Sequence, residues 1–86
     1  MYKLVLSREA ERFYQRQSKP TARKIARCFA ALEKDPRGGN NVKPLKGKFS
    51  GAYRYRVGDF RVVYMINDAV ATVFVITVAD RKDVYD

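Results

Sequence analysis

Basic side chains gather in the second half of the chain, around segments that alternate like β-strands. Arg54 and Arg56 stand two residues apart, so both point to the same face of a strand. Arg61 opens the next segment, and Arg81 follows the last one. Guanidinium groups bind phosphate through two parallel hydrogen bonds, so such a row would hold a phosphodiester backbone. The alternative is a solvated face, or ion pairs with the few neighbouring acids, Asp59, Asp80 and Asp83.

Cleavage of RNA is one reaction that a cluster of this kind can perform. RNA carries its own nucleophile, the 2′-OH, so the protein has to orient it, stabilise the added negative charge and move protons. The chain has no histidine, and proton transfer then needs another group, such as tyrosine, lysine or a carboxylate. Tyr85, four residues after Arg81, is a candidate acid or base, or a platform for stacking on a base. A tyrosine that packs back on the core is equally compatible with the spacing.

Composition limits the other possibilities. The chain has 86 residues, enough for a single domain spanning 1–86. Its 18 basic and 9 acidic residues give a net charge of +9, which favours an anionic partner, nucleic acid before an acidic protein or a membrane surface. Cys28 is the one cysteine, so we expect no disulfide, no zinc site and no cofactor. No apolar segment approaches the ~20 residues of a membrane span, and no signal peptide is evident, so we expect a cytoplasmic protein.

The first half of the sequence predicts a strand followed by two helices. Tyr2–Leu6 is rich in strand formers, and Ser7 is a plausible N-cap for a helix from about Arg8 to Gln17. Pro20 suits the first turn of a second helix, which should end near 35–36. The break between the two helices is short, so they should form a helical hairpin.

The second half predicts three strands after a basic connector. The connector runs from Val42 to Ser50, and the strands are Ala52–Val57, Phe60–Ile66 and Ala69–Ala79, joined by two-residue turns. The predicted fold is α+β, in the order β-α-α-β-β-β, with the helical hairpin packed on one face of a small, mainly antiparallel sheet. Four cations of the loop and connector are candidate RNA contacts: Arg37, Lys43, Lys46 and Lys48.

The central and C-terminal motifs resemble RelE-type toxins of the RelE/ParE superfamily. The resemblance is carried by Pro44–Gly47, by Gly51–Tyr64, and by Val73–Val78 followed by Arg81–Tyr85. It implies the toxin of a type II toxin–antitoxin system, which enters the ribosomal A site and cleaves the mRNA codon there by 2′-OH attack, without metal. It also implies a RelB-like antitoxin as partner, and contact with operator DNA only through the toxin–antitoxin complex.

The same resemblance assigns roles to individual residues. Arg61 and Arg81 match the arginines that stabilise the scissile phosphate, and Tyr85 matches the tyrosine that stacks on a codon base. Arg54 and Arg56 match a basic pair that holds the message, whereas Lys46 and Lys48 are expected to contact ribosomal RNA. Many relatives have histidine where this chain has Asp80, so the role of that residue is open.

Two other functions remain compatible with the sequence. A ParE-like toxin would bind DNA gyrase and cut nothing, although such chains lack the full set of Arg61, Arg81 and Tyr85. A catalytically silent RNA-binding module is the other alternative.

Overall fold

Two helices cover one face of a five-stranded mixed sheet in the computed structural model, which describes residues 1–80. The strands lie in the order β1-β5-β4-β3-β2; β1 runs parallel to β5, and the other neighbours are antiparallel. The α+β class and the helical hairpin on one face are therefore confirmed. Single 3₁₀ turns lie at Gly47–Phe49 and Asp68–Val70, and the main elements are β1 (Lys3–Leu6), α1 (Arg8–Gln15), α2 (Lys19–Lys34), β2 (Val42–Pro44), β3 (Tyr53–Val57), β4 (Phe60–Asn67) and β5 (Thr72–Asp80).

Both helices begin where the capping residues predict. The hydroxyl of Ser7 accepts a hydrogen bond from the backbone N–H of Ala10 at 3.0 Å, and it donates to the carbonyl of Ile76 in β5. The cap thus also fixes the start of α1 to the sheet. Helix α1 ends at Gln15, two residues earlier than predicted, and α2 carries Pro20 in its first turn.

The structure adds one short strand to the predicted order and shifts the start of another. The predicted connector contains a further strand, β2, which pairs with the first half of β3. Its three residues include a lysine and a proline, so no alternating pattern marks it, and Pro44 is tolerated because β2 is an edge strand. The β4–β5 connection is a 3₁₀ turn that ends with Ala71 in the left-handed region (φ 44°), so β5 starts at Thr72 rather than at residue 69.

The main core lies between the helices and the sheet. Residues of both β4 and β5 are fully or almost fully buried there, and Ile25, Cys28 and Leu32 of α2 pack over them. The hydroxyl of buried Tyr64 donates to the carbonyl of Pro36 at 2.6 Å, which ties the loop after α2 to the middle of the sheet. Within residues 1–80, no helix is long and apolar enough to cross a membrane.

A second, smaller apolar cluster lies on the opposite face of the sheet. Leu45 and Ala52, at the two ends of the β2–β3 loop, pack with Val63 of β4, and Phe49 and Ile76 border them. We call this side of the sheet the outer face. The β2–β3 loop therefore folds across part of it, and the outer face is not fully open to solvent.

Candidate RNA-binding and catalytic face

The three arginines of β3 and β4 share the outer face. Arg54 and Arg56 alternate with Tyr53 and Tyr55, whose rings pack toward the helix-side core, as the spacing predicts. The β3–β4 register places Arg56 directly opposite Arg61. Residues directly opposite each other in an antiparallel pair project to the same face, with Cα atoms about 4.5–5.5 Å apart. We call Arg54, Arg56 and Arg61 the arginine cluster.

The cluster is more buried than an open basic stripe would be. Arg54 is 3% exposed and Arg61 is 8% exposed. The Nη1 of Arg54 donates to the backbone carbonyl of Asn41 at 2.7 Å, so its guanidinium is fixed against the start of β2. The β2–β3 loop covers the neighbouring part of the outer face, which explains why the exposure differs from the sequence-based expectation.

Electrostatics at the cluster favours an anion. Like charges directly opposite each other on neighbouring strands destabilise a sheet, by about 0.2–1 kcal/mol for an ordinary pair. Arg56 and Arg61 are such a pair. A phosphate between two guanidiniums would accept charge-assisted hydrogen bonds from both, and such bonds are stronger than neutral ones. The arrangement can therefore bind a phosphodiester group and stabilise added negative charge on it.

The lysines predicted to bind RNA border the cluster. Lys43 lies opposite Arg54 in the β2–β3 register, so its side chain projects from the outer face as well. Lys46 and Lys48 are exposed on the loop that crosses this face. The structure thus brings Lys43 next to the arginine cluster, and the other two lysines lie at the border of the cluster.

Arg37 lies elsewhere. Its guanidinium forms a bidentate ion pair with Asp68, with Nη2–Oδ2 and Nη1–Oδ1 distances of 2.8 and 3.1 Å. It also lies 5.9 Å from the ring centre of Tyr53, which packs on the helix side of the sheet. The hydroxyl of Tyr2 donates to the same carboxylate at 2.6 Å. We call Tyr2, Arg37 and Asp68 the rim triad, and it is separate from the arginine cluster.

The rim triad shifts the titration of its members. The hydrogen bonds from Arg37 and Tyr2 lower the pKa of Asp68, and the hydrogen bond to Asp68 raises the pKa of Arg37. The pKa of Tyr2 is raised, mainly by its hydrogen bond to the carboxylate. Asp68 was not identified from the sequence, because nothing in a single sequence pairs a turn residue with a cation 31 positions earlier.

Two predicted catalytic residues lie outside the described residues. Strand β5 ends at Asp80, which is aligned with Phe60, the residue before Arg61. The assignments of Arg81 and Tyr85 therefore stay predictions. Among residues 1–80, no group of three or more histidine, cysteine or carboxylate side chains could hold a metal ion.

An exposed apolar patch on the sheet was missed by sequence analysis. Met65 and Phe74 are cross-strand neighbours of β4 and β5 and are 46% and 42% exposed, and Val70 in the adjoining turn is 65% exposed. The alternation in β4 could have indicated it, because Met65 continues the outer-face positions of Arg61 and Val63.

The fold is shared with solved toxins of toxin–antitoxin systems. One chain of the RelBE2 toxin–antitoxin complex from Mycobacterium tuberculosis matches with a TM-score of 0.79 and 25% identity, and the match covers 93% of this chain and 98% of that chain. A YoeB/ParE toxin from Agrobacterium tumefaciens matches with a TM-score of 0.81 and 25% identity, covering 92% and 98%. The archaeal RelE–RelB complex from Pyrococcus horikoshii, at 24% identity and a TM-score of 0.82 over 96% and 98% of the chains, shows the same fold. These are RelE-like toxins, and the present fold is of their class.

The sequence itself identifies the family. The profile of the ParE toxin of the type II toxin–antitoxin system parDE matches residues 4–85, and the chain therefore belongs to this family, within the RelE/ParE superfamily. Toxin RelG from Mycobacterium tuberculosis is 36% identical over 59 residues, which are 67% of this chain and 64% of RelG. The match thus spans slightly less than two thirds of that relative.

Proposed function

We propose that the chain is a ribosome-dependent endoribonuclease that enters the A site and cleaves the mRNA codon there, which stops translation. The observation that carries the proposal is the pairing of Arg56 with Arg61, beside Arg54, on one face of the sheet. This is a site for a phosphodiester group. Membership of a toxin family and the similarity to RelG support placing it on a message.

In the proposed reaction, the 2′-OH of the codon attacks the adjacent phosphorus and the 5′-oxygen of the next nucleotide leaves. The products are a 2′,3′-cyclic phosphate and a 5′-OH, and the leaving oxygen gains the proton that the 2′-OH loses. Arg61, together with Arg81, stabilises the negative charge that develops on phosphorus. Arg54 and Arg56 hold the backbone on either side. No metal-bound water is needed, because the nucleophile belongs to the substrate.

The arginines are poor proton carriers, since the pKa of a guanidinium lies above ~12. Proton transfer is therefore assigned to Tyr85, with Asp80 at the end of β5 as the second candidate. Lys43, Lys46 and Lys48 extend the basic surface toward ribosomal RNA. Arg37 can contribute there only while it shares its guanidinium with Asp68.

The proposed protein partner is a RelB-like antitoxin, because similar structures include toxins solved in complex with RelB proteins. An apolar segment of the antitoxin would cover Met65, Val70 and Phe74, the exposed patch on the sheet. Operator DNA would be contacted only through this complex. Both the ribosome and the antitoxin place the chain in the cytoplasm.

The family match favours a second candidate function. A ParE-like toxin of this fold would bind DNA gyrase and cleave no RNA, and the profile that matches residues 4–85 is that of a ParE toxin. The nuclease would cut the message, whereas the ParE-like toxin would leave the message intact and act on DNA through gyrase.

Mapping of mRNA 5′ ends after the protein is induced in cells distinguishes the two candidate functions. We expect cuts inside translated codons, with 5′-OH ends. Arg61→Ala and Arg81→Ala should each reduce cutting by roughly 10²- to 10³-fold, the loss expected when one stabilising donor is removed. Tyr85→Phe should abolish it. Lys3→Gln, on the exposed side of β1, is the matched control and should cut normally.

Growth arrest with intact messages and inhibited gyrase would reject the nuclease and support the ParE-like function.

The attack by the 2′-OH is tested separately, on purified ribosomes. A message with a 2′-O-methyl group at the scissile nucleotide should resist cleavage, whereas 5′-phosphate ends would show attack by water and overturn the mechanism.

A further inference from the structure

One backbone oxygen, the carbonyl of Asn41, is shared by two members of the arginine cluster. It accepts a hydrogen bond from the Nη1 of Arg54 at 2.7 Å and another from the backbone N–H of Arg56 at 3.0 Å. A carbonyl oxygen has two lone pairs, so both are used here. Because the side chain of Arg54 is buried, the place of its guanidinium depends on the place of this oxygen.

The strand register shows where this hydrogen bond draws the side chain of Arg54. Asn41 is the residue before β2, and the antiparallel pairing of β2 with β3 places it level with Arg56. Arg56 is in turn aligned with Arg61 on β4. The guanidinium of Arg54 is therefore bonded to a group in the row of the Arg56–Arg61 pair, about 6.6 Å along β3 from its own row.

A carbonyl group suits the task of holding this arginine. Guanidinium groups that approach one another repel, and an acceptor must offset that repulsion if they are to stay together. A carboxylate would accept a stronger hydrogen bond, but it would also cancel a positive charge that a phosphate could use. The carbonyl of Asn41 has no formal charge, so its contact with Arg54 leaves the positive charge of that residue in place.

The loop that carries Asn41 is fixed near its other end. It consists of residues 35–41 and joins α2 to β2. The carbonyl of Pro36 accepts the hydrogen bond from the buried hydroxyl of Tyr64 at 2.6 Å. The neighbouring residue, Arg37, is held in the rim triad by its bidentate ion pair. The start of the loop is thus tied both to the centre of the sheet and to the β4–β5 turn.

The middle of the loop is a tight turn. The N–H of Gly38 donates to the carbonyl of Asp35 at 3.4 Å, and the N–H of Arg37 donates to the carboxylate of Asp35 at 3.3 Å. A Cβ atom added at Gly38 would lie 2.8 Å from the Cγ of Asp35, which is closer than real Cβ atoms approach, so this turn has no room for a side chain there. The loop therefore brings the carbonyl of Asn41 to a defined point.

We propose that the backbone carbonyl of Asn41 positions Arg54 for cleavage, by holding its guanidinium beside the Arg56–Arg61 pair so that all three side chains contact one phosphodiester group. The proposal deepens the proposed function and rests on it. Asn41 is a positioning residue, because it acts through Arg54 and need not touch the RNA. When the hydrogen bond is weakened, Arg54 keeps its charge but not its direction, so the cleavage rate should fall more than the affinity for the ribosome.

The test replaces the amide between Asn41 and Val42 by an ester, in a full-length chain assembled chemically by ligation at Cys28. An ester carbonyl accepts hydrogen bonds more weakly than an amide carbonyl, and every side chain and the net charge are kept. The N–H of Val42 is also lost, but its bond to the carbonyl of Gly39 is long, at 3.5 Å. The matched control is an ester between Asn40 and Asn41, where the two altered groups have no hydrogen-bond partner among residues 1–80.

The readout is single-turnover cleavage of a message on purified ribosomes. The maximal rate of the 41–42 ester should fall roughly tenfold, since a hydrogen bond from a charged donor is among the stronger ones. The protein concentration that gives half of the maximal rate should change less than twofold, and the control ester should match the parent. In chains that also carry Arg54→Ala, the 41–42 ester should cause no further loss, because its effect passes through that side chain.

Three results would overturn the proposal: a parental rate in the 41–42 ester, an equal loss in the control ester, or an equal loss with and without Arg54→Ala. The ¹⁵N nuclear magnetic resonance signal of the Arg54 guanidinium gives a second readout that needs no RNA. We expect slow rotation of this group in the parent and in the control ester, and faster rotation in the 41–42 ester.

The two readouts separate this proposal from the proposed function. A parent chain that leaves messages intact on the ribosome refutes the nuclease, and the guanidinium signal then still decides whether Asn41 orders Arg54. Identical signals in the two esters refute the positioning, whatever the chain cleaves.

Discussion

At Arg54 the choice of arginine follows from its environment. The residue is 3% exposed, and its guanidinium donates to the carbonyl of Asn41. A buried lysine readily loses its proton, whereas arginine keeps its charge and presents several donors in a fixed plane. A cation that must stay charged with little solvent around it is therefore better made from arginine. The sequence predicted which face Arg54 occupies, because alternation depends on nearest neighbours, but burial depends on a loop that folds back from outside the strand.

The hydroxyl of Tyr64 is another buried polar group, and it donates a hydrogen bond to the carbonyl of Pro36. Burial raises the pKa of this tyrosine, so it remains a hydrogen-bond donor well into alkaline solution. Tyr64→Phe leaves that carbonyl unsatisfied in the core, and we expect the free energy of unfolding to fall by about 1–2 kcal/mol. Urea denaturation followed by circular dichroism measures the change.

The control is Tyr55→Phe, since Tyr55 is half-buried on the same side of the sheet and its hydroxyl has no hydrogen-bond partner among residues 1–80. Its effect should stay within about 0.5 kcal/mol. Equal losses in the free energy of unfolding for the two variants would show that the hydrogen bond from Tyr64 to Pro36 does not stabilise the fold.

Between elements, the rim triad joins the start of β1, the loop after α2 and the β4–β5 turn. The pKa of Asp68 is lowered in the folded chain, so its contribution to stability is present above the unfolded pKa of about 4. That contribution is lost as the pH falls through the lower, folded pKa. Asp68→Asn should therefore be less stable than the parent at pH 7, and the difference should shrink below pH ~4 and then disappear.

Denaturant unfolding across pH 2–8 checks this prediction. Asp59→Asn, which removes one carboxylate from the exposed β3–β4 turn, serves as the control. A difference between Asp68→Asn and the parent that persists unchanged at pH 2 would show that charge on Asp68 is not its source.

The elements themselves were predictable to different degrees. Both helices follow from an apolar stripe at helical spacing and from Ser7 and Pro20, which are local features. Strand β2 was not predicted, because three residues that include Pro44 carry no periodicity, and their strand conformation is imposed by pairing with β3. Local sequence thus determines the elements that are stable through their own pattern, and tertiary contacts determine the others.

At the scale of the whole molecule, the residues of the candidate site were also predictable to different degrees. Arg54, Arg56 and Arg61 could be placed on one face from alternation and a tight turn. The ion pair of Arg37 with Asp68 could not, because it joins two loops that only the complete sheet brings together. The sequence thus predicted that three arginines share one face of the sheet, and it did not predict that Arg37 pairs with Asp68.

The completeness of the sheet also determines whether the chain folds at all. Strand β5 lies between β1 and β4 and supplies three residues of the main core, Val73, Val75 and Val78. A fragment of residues 1–71 should therefore show no cooperative thermal transition, whereas the full chain should show one. Circular dichroism melting curves of the two decide the point, and a sharp transition in the fragment would contradict it.

The parallel pairing of β1 with β5 has a consequence for synthesis. Lys3 is aligned with Thr72, so the first strand to leave a translating ribosome waits for a partner made 69 residues later. Until then β1 has no strand partner, and β4 is paired on one side only, with β3. In a nascent chain, β1 therefore stays separate from the β2–β4 part of the sheet until β5 has emerged to join the two.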